Sequence, residues 1–149
     1  MERQEFLKTL GISFAAVCAG SCLSACGKDG DNTPNNGTTP PPTGTFVSAN
    51  LSDLTTVGSS KVVNSVLFFR LAAGNTAASF GATQATCPHQ GAALFWKQSE
   101  NLIQCPRHSA KFSTSGEILA QPSTGETTSK LSVYLITAVS ETTVTAKTI

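Results

Sequence analysis

Apolar residues are distributed along this chain in three different ways. Residues 10–23 form one continuous apolar run with Gly, Ala and Ser interspersed. Residues 27–45 hold no large apolar residue at all. Beyond Phe46 apolar residues come in short runs separated by turn signals. Residues 62–63 and 65–71 (SVLFFRL) are two such runs, the second stopped by Ala72-Ala73-Gly74-Asn75. Residues 76–86, rich in Ala and Thr, lead into Cys87. Residues 93–97 (ALFWK) and 102–104 (LIQ) flank Gln98-Ser99-Glu100-Asn101, which predicts a hairpin. Residues 111–113 and 117–119 flank the turn Thr114-Ser115-Gly116, and residues 131–139 and 142–149 predict two closing strands. No window of eleven or more residues beyond Phe46 carries a 3.6-residue apolar period. The pattern predicts an all-β domain.

Composition agrees with that reading. Ser, Thr and β-branched residues are abundant, and these suit pleated, half-buried surfaces. The 149 residues leave room for one domain with appendages. Formal net charge is +1, only 13% of residues are charged, and no basic or acidic run occurs. That argues against a nucleic-acid surface.

The apolar run at residues 10–23 is short for a bilayer core, which needs about 20 residues, and it has the shape of a signal-peptide h-region. It ends in Leu23-Ser24-Ala25-Cys26, which resembles a bacterial lipobox. The resemblance implies a signal peptide over residues 1–25, cleavage before Cys26 and acylation of Cys26; the alternative is an uncleaved membrane anchor. Two or three acyl chains anchor stably where one does not. The segment Arg3-Gln4-Glu5-Phe6-Leu7-Lys8 resembles a twin-arginine export signal in which Gln4 replaces the second arginine, so the general secretory route stays open beside it. Residues 27–45, rich in Pro, Gly, Asn and Thr, read as a flexible linker following Cys26, with a full reach of at most roughly 65 Å.

The chemistry lies in Cys87-Pro88-His89 and Cys105-Pro106-Arg107-His108. These use both histidines of the chain and the only two cysteines beyond Cys26. Several readings fit those residues: a disulfide between Cys87 and Cys105, a structural Cys2His2 zinc site, a thiol enzyme with a Cys–His dyad, or core cysteines with surface histidines. The mixed Cys-plus-His pairing is also what a Rieske [2Fe-2S] centre requires, with two thiolates on one iron and two imidazoles on the other. The chain resembles the Rieske iron–sulfur family over residues 46–149. The resemblance implies an antiparallel β-sandwich with a small cluster-binding subdomain, and Cys87, His89, Cys105 and His108 as ligands of a [2Fe-2S] cluster. It also implies that Gly91 lets backbone N–H groups approach the sulfides, that Pro88 and Pro106 stiffen the ligand loops, and that Gln121-Pro122 begins a shielding third loop.

Departures from the family pattern narrow the expectation. High-potential members link the ligand loops by a disulfide; the matching positions here are Ala92 and Arg107. They also place hydroxyls near the cluster at positions matching Ala110 and Phe112, while Ser109 replaces the usual glycine and can supply a hydroxyl of its own. Hydrogen bonds to sulfur raise the potential, so their loss implies a low-potential cluster. No histidine remains for a mononuclear iron site, which implies an electron carrier or oxidoreductase subunit without its own substrate site. The leading expectation is a lipid-tethered electron carrier outside the cytoplasm, held to a bacterial membrane through Cys26, exchanging electrons with protein partners the sequence does not name. A fixed relay subunit of a larger complex and a zinc-holding or cluster-free lipoprotein module are the alternatives.

Overall fold

The computed structural model describes residues 39–149. The signal segment, Cys26 and most of the linker lie outside the described residues. Among the described residues there is no α-helix, only strands and three short 3-10 turns.

Ten strands form three antiparallel sheets. The base sheet holds β1 (Phe46–Asn50), β10 (Thr143–Lys147) and β9 (Leu135–Val139), in that order. The middle sheet is β2 (Ser60–Val63), β3 (Val66–Arg70) and β4 (Phe80–Gln84). The tip sheet runs β5 (Phe95–Lys97), β6 (Leu102–Gln104), β7 (Lys111–Phe112) and β8 (Ile118–Ala120).

β3 is the pivot. Its five residues are all buried, and successive side chains of a strand point to opposite faces. Val66 and Phe68 join a base core with Val47, Leu54, Phe80, Tyr134 and Val144. Leu67 and Phe69 join a tip core with Trp96, Ile103, Phe112, Leu131 and both cysteines. A strand covered on both faces reads as a continuous apolar run, which is why SVLFFRL shows no alternation. Phe69 lies over its cross-strand partner Gly81, where an added Cβ would come within 2.3 Å of the ring. The Phe69 ring also stacks on Trp96, with centroids 4.7 Å apart.

Arg70 closes β3 as a buried cation with no carboxylate partner among the described residues. Its Nη1 donates to Leu54 O at 2.6 Å and its Nη2 to Gly74 O at 2.8 Å, with Nε reaching Ala72 O at 3.2 Å. Loop carbonyls thus satisfy the guanidinium and fix the β3–β4 connection.

The predicted hairpin forms, with β5 paired to β6 and Asn101 in the left-handed region at its turn. Two predicted runs are broken. Residues 76–86 begin with a 3-10 turn, and β4 starts only at Phe80. Residues 131–139 do not form one strand: Leu131 sits in the tip core and Tyr134 in the base core, so the chain crosses between cores before β9 starts. Pro42, Gly44 and Thr45 are already bonded to Thr148, with Gly44 N–H donating to Thr148 O at 2.8 Å.

Candidate metal centre

The antiparallel register brings three loops to one end of the tip sheet. Phe95 pairs with Gln104 and Lys111 with Ala120. The loop entering β5, the loop leaving β6 and the loop leaving β8 therefore share an edge. The first carries Cys87 and His89, the second Cys105 and His108, and the third begins at Gln121-Pro122.

The first two loops repeat one turn. Cys87 N–H donates to Ala92 O at 2.7 Å, and Cys105 N–H donates to Ala110 O at 2.9 Å. The fourth residue after each cysteine has positive φ, +67° at Gly91 and +57° at Ser109. Gly91 N–H donates to Cys87 O at 2.9 Å, and no protein atom lies within 4 Å of where a Cβ would be. The left-handed backbone at this position favours glycine. Ser109 occupies the equivalent strained position and is exposed.

Cys87 and Cys105 are free thiols in the tip core, each 2% exposed. Burial pushes the Cys87 thiol up, the His89 backbone N–H bonded to its sulfur opposes this, and the adjacent Cys105 raises it further. Metal binding resolves that tension, because a coordinating thiol is deprotonated outright.

His89 and His108 meet edge to face, with ring centroids 5.0 Å apart and Nδ1 atoms 3.2 Å apart. On its far side His89 Nε2 lies 2.6 Å from Glu126 Oε2. That hydrogen bond holds the Glu126 carboxyl below its usual range, so the carboxylate accepts and Nε2–H donates. With Nε2 engaged by the carboxylate, Nδ1 is the ring nitrogen left to bind a metal. Glu126, which bonds His89, is a residue that sequence reasoning did not single out. It is the sole carboxylate in the third loop, and that was the available signal.

The other sequence-derived positions fall around this centre. Ala110 and Phe112 are fully buried without a hydroxyl, Ala92 is half-buried, and Arg107 is exposed. Arg107 Nη1 donates to Gln90 O at 3.3 Å, a weak link between the two loops. The third loop packs onto the second through buried Pro122 and through Ser123 N–H donating to His108 O at 2.8 Å. Among the described residues no group of three or more His, Cys, Asp and Glu converges on one point. The donors come as two pairs.

Residues 47–137 match the family model of the Rieske [2Fe-2S] domain, and the chain belongs to that family. A cytochrome b6-f complex iron–sulfur subunit from Chlorobaculum tepidum is 35% identical over 48 residues, covering 32% of this chain. The match spans about a quarter, 26%, of that relative's length. The plasma-membrane Rieske protein PetC3 from Synechocystis PCC 6803 superimposes with a TM-score of 0.48 at 22% identity, covering 66% of this chain and 98% of the other.

The family's cofactor is a [2Fe-2S] cluster. The donor set fits it: two thiols and two imidazoles arrive as separate pairs, as a cluster with distinct sulfur-bound and nitrogen-bound irons needs. Metal–nitrogen arms of about 2.0–2.1 Å put adjacent tetrahedral donors about 3.3–3.4 Å apart, near the 3.2 Å between the two Nδ1 atoms.

Proposed function

We propose that Cys87 and Cys105 hold one iron of the cluster, that His89 and His108 hold the other, and that the protein carries single electrons between redox partners. The approach of two Nδ1 atoms beside two buried thiols carries this reading. When bound, the cluster supplies a one-electron couple whose neutral imidazole ligands lift its potential above that of all-cysteine clusters. The chain's own residues position it. The paired turns fix the two cysteines, the tip core excludes water from the thiols, and both histidines stand at the loop edge.

The lipobox-like Leu23-Ser24-Ala25-Cys26 and the linker support a lipid tether on Cys26 outside the cytoplasm, with the domain free to reorient near its membrane. The second reading, a fixed relay in a larger complex, is favoured by the named b6-f subunit relative. Stable co-purification with a catalytic subunit supports that reading over the mobile carrier.

Electron paramagnetic resonance of the reduced full chain, with iron and sulfide analysis, tests the site. A signal of His-ligated [2Fe-2S] is expected; a colourless zinc protein sinks the proposal. Because Ala110 and Phe112 offer no hydroxyl and Ala92 cannot form a disulfide, the midpoint is expected below about 0 mV. A value above about +150 mV at neutral pH contradicts this assignment within the Rieske range.

A further inference from the structure

Glu126 makes the two imidazoles unequal. Its Oε2 accepts from His89 Nε2 at 2.6 Å and takes longer bonds from Gln90 Nε2 and Thr124 Oγ1, 3.4 Å each. The His89 side chain is only 6% exposed, while that of Glu126 is 60% exposed. The carboxylate therefore lies between His89 and solvent. As whole residues His89 and His108 are both half-buried. The Nδ1 of His108 meets His89, and among the described residues its Nε2 has no hydrogen-bond partner. The loop bearing Glu126 is pinned to the second ligand loop by the Ser123-to-His108 backbone bond, so the cap spans both ligand loops.

We propose that Glu126 is a positioning residue of the cluster site, holding His89 as a fixed, charge-compensated ligand and leaving His108 as the imidazole edge for electron exchange. This rests on the reading of Cys87, His89, Cys105 and His108 as ligands. Three effects follow from one contact. Accepting the Nε2–H fixes the tautomer that turns the Nδ1 lone pair toward iron. A carboxylate on the remote nitrogen makes the imidazole more basic, which favours the oxidised cluster and lowers the midpoint. The Nε2 edge of His89 is occupied by Glu126, whereas that of His108 has no partner among the described residues. Electron exchange at that edge makes and breaks no bond: one electron enters or leaves the cluster.

The test uses the full chain loaded with its cluster. Glu126→Gln keeps an acceptor but removes the charge, and Glu126→Ala removes both. The midpoint is expected to rise in each, further in Glu126→Ala; a Glu126→Ala midpoint equal to the parent's overturns the proposal. Labelling of imidazole Nε2 by diethyl pyrocarbonate, located by mass spectrometry, needs no variant. His108 is expected to react faster than His89 in the parent, with the difference shrinking in Glu126→Ala. Equal rates in the parent overturn the proposal while leaving the ligand assignment intact. Absence of a His-ligated signal in the parent overturns both, and it is seen before any variant is made.

Discussion

Phe68 and Phe69 are neighbours on β3, yet each serves a different core. On the base side Phe68 meets β1 and β10, paired with each other over five residues, and all its core companions are aliphatic or aromatic. On the tip side Phe69 meets strands of two or three residues, and two of its core companions are thiols. The base can close by burial of apolar area alone. The tip has shorter ladders and a core that includes the two thiols proposed as cluster ligands, so on that reading its order is coupled to what they bind.

The widest separation between the halves is expected on removing the cluster. Chelation of iron under reducing conditions, or Cys105→Ser, should release hydrogen-exchange protection in residues 102–112 while residues 47–49 and 144–146 stay protected. Equal loss in both segments would break the comparison. Next in size are Phe68→Ala and Phe69→Ala, each expected to cost about 3–5 kcal/mol as buried Phe truncations. Their signatures should differ. Phe69→Ala should also lower cluster occupancy, since it removes the ring between Gly81 and Trp96, whereas Phe68→Ala should lower the denaturation midpoint with the cluster absorbance per folded molecule unchanged.

The same contrast explains what the sequence revealed. SVLFFRL was legible as a strand because burial on both faces leaves an unbroken apolar run. The hairpin at Gln98-Ser99-Glu100-Asn101 was legible because its turn residues sit between two short runs that each hold a pair of large apolar residues. The Cys–His pairs stood out because their spacing resembles a coordination pattern and because His and Cys are rare beyond Cys26, and the fold brings the two imidazoles together. β1 had no such signal: only Val47 and Ala49 of its five residues point inward, and a small residue is a weak marker. The break within residues 131–139 was hidden because Leu131 and Tyr134 look alike as core residues while serving opposite cores. Glu126 was hidden because its partner is 37 residues away and belongs to another loop.

Within the tip, the two ligand loops allow a finer comparison. Gly91 and Ser109 hold the same left-handed position in the same turn. Gly91→Ala is expected to cost about 1–2 kcal/mol from its left-handed backbone, with no protein atom within 4 Å of an added Cβ. Ser109→Gly should move stability the other way by less, because relief of strain is offset by the freer unfolded chain. Thermal melts of the cluster-loaded protein measure both. A neutral Gly91→Ala would mean that the first loop relaxes and that the turns are not equivalent.

The smallest expected effect lies at high pH and belongs to the base. Tyr134 is buried in that core, and burial raises its phenol above the ordinary value. The folded state therefore keeps its proton where the unfolded chain, near pH 10, begins to lose one. The contribution is fully present below that pH and is lost as pH rises through the folded-state value. Base-core stability, read by tyrosine-independent hydrogen exchange at residues 144–146, should decline across that alkaline window in the parent and decline less in Tyr134→Phe. Identical alkaline profiles would mean that the phenol finds enough solvent to ionise in place, and the base would then be less tightly closed than its buried area implies.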